Sequence, residues 1–206
     1  MKFHQKLTYA GFVIFHPFKG FWDIKNERKG DLKVSLFYLA LLYVSMLLHE
    51  CLGGYLFREN ENTVSVVRVL LSVLLPVFFW CVVNWSLTTL MDGEGSFRDI
   101  ATMLGYAIIP MIGSNLLLTV LSNILTIKES MYLTLLSGIG IAWTALLIVC
   151  GTQVVHQYSL GKTVATIFLT LVGIVVLVFL LLLGYNLFQQ VVDFVQSVVR
   201  ELLYRL

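Results

Sequence analysis

Apolar residues along most of this chain come in long blocks rather than in alternation with polar ones. Blocks run near 33–55, 66–91, 100–123, 131–155 and 163–188. Each is long enough for a helix to cross a hydrocarbon layer about 30 Å thick. In lipid only helices and closed barrels satisfy their own backbone hydrogen bonds, and barrel strands would show two-residue alternation. The pattern predicts an all-α integral membrane protein with five transmembrane helices.

Different periodicities flank the blocks. In residues 1–32, Phe3, Leu7, Gly11, Ile14 and Phe18 recur at helical spacing, with Lys2, His4 and Lys6 mostly elsewhere around the axis. This predicts a cytoplasmic amphipathic arm. Pro17 interrupts it and suits the first turn of a second short helix, with Phe18, Phe21 and Trp22 on one face and Lys19, Asp23 and Lys25 left to water. Residues 33–188 form the five-span domain. Residues 189–206 predict an amphipathic carboxyl-terminal helix: Phe188, Val191, Val192, Val195, Val198, Val199, Leu202 and Leu203 make an apolar stripe opposite Gln189, Asp193, Gln196 and Arg200. It either lies in the membrane interface or prolongs the fifth span toward a partner. A straight helix from Lys162 to the end would reach about 65 Å, twice the hydrocarbon core.

Composition agrees with a lipid environment: 206 residues, 58% hydrophobic and 13% charged, with a mean hydropathy of +0.87. A net charge of +2, without a basic stripe beyond the amino-terminal third, argues against a nucleic-acid partner. With the amino terminus in the cytoplasm, nine Lys and Arg fall inside (Lys2, Lys6, Lys19, Lys25, Arg28, Lys29, Lys33, Arg98, Lys162). Five fall outside (Arg58, Arg68, Lys128, Arg200, Arg205), which favours an N-in, C-out topology. The mixed first 30 residues do not read as a cleavable signal, so the first span is expected to remain. Cys51, Cys81 and Cys150 have no CxxC spacing and are expected as buried thiols.

Candidate chemistry is sparse. Ion-coupled transport and proton relays use ionisable residues inside the membrane, and the spans contain essentially none; His49 and Glu50 fall near the outer end of the first. Neutral polar residues such as Asn84, Ser114, Asn115, Thr119, Thr152, Gln153 and Asn186 are expected to tie helices together. Gly105, Gly113, Gly138, Gly151 and Gly173 are expected to let backbones approach. Pro76 and Pro110 predict kinks in the second and third spans. The inner loop from Met91 to Asp99 holds Asp92 and Glu94 beside two glycines, and Ser96 with Asp99 has capping-box-like spacing. In the second inner loop, His156 and Tyr158 are placed to meet that acidic loop, and Lys162 is expected to snorkel to headgroups. Its Gly-Lys-Thr lacks the earlier glycine of a phosphate loop. No catalytic constellation, cofactor or metal site emerges.

The order of three pieces resembles the Ypt-interacting protein family, or Yip domain, in its compact bacterial-type members. They are His16-Pro17-Phe18-Lys19-Gly20-Phe21-Trp22, Met91-Asp92-Gly93-Glu94-Gly95-Ser96-Phe97 with Gly105-Tyr106 and Pro110, and Tyr158-Ser159-Leu160-Gly161-Lys162. The likeness covers about Phe15 to Leu187. It implies five spans with the amino terminus inside and the carboxyl terminus outside. Eukaryotic members bind Rab-type GTPases in vesicle traffic through a longer arm with an Asp-Leu-Tyr-Gly-Pro motif, which this chain lacks. The expected function is a non-enzymatic membrane adaptor in the bacterial plasma membrane. Its inner face, with Pro17, Phe21, Trp22, Asp92, Glu94, His156, Tyr158 and Lys162, would dock lipid headgroups, a membrane-protein partner such as a carbohydrate ABC importer, or another copy of the chain. The alternative is a small neutral-solute channel lined by Asn84 and Asn115 between spans kinked at Pro76 and Pro110.

Overall fold

The computed structural model describes residues 3–57 and 65–205; Lys2 and Arg58, two of the charges counted above, and Leu206 lie outside them. The described residues form eight α-helices and two short 3₁₀ turns, without strands. Two make the arm, α1 (Phe3–Phe15) and α2 (Pro17–Asn26). The bundle follows: α3 (Leu32–Leu52), α4 (Val66–Leu90), α5 (Phe97–Ala107), α6 (Ile109–Leu121), α7 (Ser130–His156) and α8 (Leu160–Arg205). Five helical segments are long and apolar enough to cross a membrane, α5 and α6 together making the third. The all-α, five-span expectation is met.

Local signals set the helix boundaries. Asp31 and Ser65 cap α3 and α4 by accepting the backbone N–H of Lys33 and Arg68, both at 3.3 Å. The expected capping box opens α5: Ser96 Oγ accepts from the Asp99 amide, and the Asp99 carboxylate accepts from the Ser96 amide at 3.1 Å. Pro110 sits in the first turn of α6, where its missing N–H costs nothing, and the third span breaks into α5 and α6 at Ile108. Pro76 does not end a helix; α4 runs through it.

The short α5 is the centre of the bundle. Seven of its eleven residues are buried, and it packs against α3, α4 and α7 as well as both arm helices. Close approach depends on small residues. A Cβ on Gly105 would meet the Ser35 backbone Cα at 2.6 Å, and one on Gly173 would meet the Val83 side chain at 2.6 Å. Gly113 and Gly138 face open space instead, so those two do not mediate approach. In lipid such faces need no partner, because hydrocarbon solvates them as well as protein does.

Cys81 and Cys150 are buried as expected, whereas Cys51 is exposed at the end of α3. The carboxyl-terminal amphipathic segment is continuous with the fifth span, as one helix of 46 residues. From 179 to 201 every residue is exposed except Val192.

Candidate arm-face site

Because the five spans are joined in series, the arm shares one end of the bundle with the 91–96 loop and the 157–159 turn. Contacts confirm that grouping, since Lys25 Nζ bonds Glu94 at 3.2 Å and Tyr158 Oη donates to the Met91 carbonyl at 3.2 Å. The opposite end joins Gly54 to Ser122 and Leu52 to Asn123.

The arm is seated in the bundle rather than lying free on a surface. Ala10 and Val13 are its buried residues in α1, and the Tyr38 and Tyr106 hydroxyls donate to the carbonyls of Leu7 and Lys6 at 2.8 and 3.2 Å. In α2 the expected aromatic face divides. Phe21 is fully buried beside Gly151, whereas Phe18 and Trp22 are half exposed. Asp23, expected in water, is 4% exposed. Its carboxylate accepts from Tyr9 Oη at 2.5 Å and Lys29 Nζ at 2.8 Å. The Lys29 bond, with the Tyr9 bond second, holds the Asp23 carboxyl below the ordinary range despite burial. Burial first, and the Asp23 hydrogen bond second, push the Tyr9 hydroxyl up. A second clasp joins α1 to α5 through the α3 cap: Asp31 lies 3.5 Å from Lys6 Nζ and 3.8 Å from Arg98. Burial, the largest single influence there, would raise the Asp31 carboxyl. The Lys33 amide, Lys6 and Arg98 together outweigh it and lower it.

The two loops interlock. His156 and Tyr158 stack with ring centroids 5.4 Å apart, against Gly93 and Gly95, where any Cβ would collide with the imidazole. Lys162 does not snorkel outward. It donates to the Met91 carbonyl at 2.6 Å and lies over the Tyr158 ring at 4.3 Å. Asp92 adopts a left-handed backbone, φ 55°, in the turn that leaves α4. Burial, then the Asp92 charge, raises the Tyr158 hydroxyl.

His156 meets the acidic 91–99 loop as the sequence pattern leads one to expect, but its helical position and its bond to Asn84 did not follow from that pattern. It ends α7, 1% exposed, with Nε2 3.0 Å from Asn84 Oδ1. Asn84 Nδ2 in turn donates to Thr170 Oγ1 at 3.1 Å, so one buried network joins α4, α7 and α8. With the amide placed this way, Nε2 carries the imidazole proton. Asn115 stands apart from this network, on α6, and its Nδ2 is buried without a partner among the described residues. Thr152 Oγ1 and Gln153 Oε1 also lack the expected interhelical bonds. Asn186 bonds back to Leu182 on its own helix. At the far end His49 meets Thr119 at 3.2 Å and Glu50 meets Arg68 at 3.3 Å, so the two side chains turn to different helices.

Pro17 begins α2, Phe21 plugs the bundle, and Trp22, Asp92, Glu94, His156, Tyr158 and Lys162 gather at one end of the molecule. This end is a composite of arm and loops, cross-linked by ion pairs, with Phe18, Trp22 and Phe97 left exposed. No curated protein and no solved structure matches the chain. A comparison with protein families matches residues 11–183 to the Yip1 domain, a stretch that takes in the arm helix α2, both interlocked loops, the first four spans and the first part of the fifth. The chain belongs to the Yip1 domain family, and it is a multi-pass integral membrane protein.

Proposed function

We propose that the chain is a non-enzymatic membrane adaptor that holds its arm face in the cytoplasm and docks a protein partner there. The supporting observation is the division of polar groups. Within the spans, Asn84, His156, Thr170 and Ser35 are consumed by contacts between helices. At the arm end Trp22, Phe18 and Phe97 stay exposed on a scaffold fixed by the Lys25–Glu94 and Asp23–Lys29 pairs. Aromatic anchors on a rigid, charge-rimmed surface suit recognition of another protein. A membrane complex such as a carbohydrate ABC importer is the concrete form of partner, with this chain as an accessory subunit. The commitment of Asn84 to His156 and Thr170 favours this reading over a solute path through the bundle.

Affinity purification from mild detergent, followed by mass spectrometry, tests it. The expected result is a stoichiometric partner that Trp22→Glu removes while the thermal midpoint stays unchanged. Recovery of the chain alone would refute the adaptor reading.

A further inference from the structure

A cavity of about 600 Å³ opens where the arm meets the start of α5, and no contact described above fills it. Four cations line it (Lys6, Lys25, Arg28 and Arg98) against two carboxylates, Asp31 and Asp99. Both carboxylates are already engaged. Asp99 is held by the Ser96 amide and hydroxyl, at 3.1 and 2.6 Å. Asp31 accepts the Lys33 amide at 3.3 Å and pairs with Lys6. Lys25 turns toward Glu94, while Arg98 reaches Asp31 only at 3.8 Å and is largely exposed. Arg28 makes no ion pair among the described residues.

Arg28 is also held at φ 51°, a left-handed conformation that residues with a Cβ rarely adopt. The turn after α2 thus keeps an unpaired guanidinium at the mouth of a cavity with two surplus positive charges. Paired guanidinium forks match the oxygens of a phosphate better than any other side-chain cations. The volume is far more than an inorganic ion needs and lies in the range of small-molecule sites. Asp31 and Ser96, the capped starts of α3 and α5, lie in its lining.

We propose that this cavity binds a phosphate-bearing anion, with Arg28 and Arg98 as its direct ligands. A phospholipid headgroup entering from the bilayer and a soluble phosphorylated compound share that chemistry. The proposal does not rest on the adaptor reading, since a phosphate ligand can bind whether or not a protein partner is recovered.

The test is native mass spectrometry of the delipidated full chain in detergent, titrated separately with phosphatidylglycerol, phosphatidylcholine and glycerol phosphate. Preference for phosphatidylglycerol over phosphatidylcholine by about tenfold, without competition from glycerol phosphate, identifies a lipid headgroup. Direct binding of glycerol phosphate identifies a soluble source. Either way, the Arg28→Gln, Arg98→Gln double variant should lose affinity by about tenfold per guanidinium. Arg200→Gln, on the far reach of α8, should change nothing. Arg28→Gly removes the charge while suiting the left-handed turn, so its loss of binding cannot be ascribed to a misfolded turn. Equal binding of the two lipids with no binding of glycerol phosphate, or full affinity in the double variant at an unchanged thermal midpoint, overturns the proposal.

Discussion

Phe21 and Trp22 are neighbours in sequence with opposite surroundings, and exchanging each for alanine separates the arm's buried face from its exposed one. Phe21 is 0% exposed, wedged beside Gly151, whereas Trp22 is 49% exposed. Removing a fully buried Phe costs about 3–5 kcal/mol from lost packing plus the cavity left behind. The lower figure applies here, because a helix at the edge of the bundle can settle into part of the space. About 3 kcal/mol corresponds to a roughly 100-fold rise in the open fraction of the arm. Amide hydrogen exchange in detergent reads this directly: Phe21→Ala should speed exchange in α1 and α2 by that order and leave α4 and α8 unchanged. Trp22→Ala should leave exchange within about threefold of the native chain, since little protein packing is lost. Equal loosening by both variants, or none by Phe21→Ala, would refute the claim that the arm is held by its buried face.

Three further outcomes follow from the same contacts. Asn84→Leu strands the His156 Nε2–H in a buried place, while the Thr170 hydroxyl keeps its bond to the Thr166 carbonyl, so it should lower stability by about 1–3 kcal/mol in detergent melting, and an unchanged midpoint would show the network to be idle. Gly105→Ala drives a methyl into the Ser35 backbone and should cost about 1–3 kcal/mol, while Gly113→Ala, facing open space, should be neutral; a reversed order in the same melts would contradict the α3–α5 packing. The arm clasp should also be acid-labile. Asp23 and Asp31 have depressed carboxyl values, so their contribution is complete above the ordinary value of 3.8 and is lost as pH falls through the lower folded value. Rate-corrected exchange in α1 and α2 should therefore be flat from neutral pH to about 4.5 and rise below 3.8, with a shallower rise in Asp23→Asn.

The five spans were legible because crossing length and unbroken hydrophobicity are one signal. Pro110 and the Ser96–Asp99 spacing also announced themselves, since both rules act within one turn. The fate of α2 did not follow from its pattern. Phe18, Phe21 and Trp22 share a face by periodicity, yet the bundle takes Phe21 with Asp23 and leaves the other two outward. At a membrane edge, protein and lipid are both apolar, so amphipathicity cannot tell which of them a ring will meet. The same ambiguity hid the Lys162 contact. Its partner is the Met91 carbonyl, 71 residues earlier in the chain, and no side-chain pattern marks a backbone acceptor. Asp23 was misplaced for a related reason, because its tolerance of burial depends on Tyr9 and Lys29 converging from elsewhere in the arm.

The unbroken course of α8 has a mechanical consequence. Its first turns are gripped by the seam in which Thr170 meets Asn84 and Gly173 meets Val83, and from 179 to 201 every residue but Val192 is exposed. The stretch beyond Gly173 measures about 48 Å, so a tilt of roughly 10° at the gripped end sweeps the free end through about 8 Å. The helix is thus a lever whose fulcrum lies beside the His156 network, and a displacement of a few tenths of an ångström among those side chains is magnified on the far side of the bilayer.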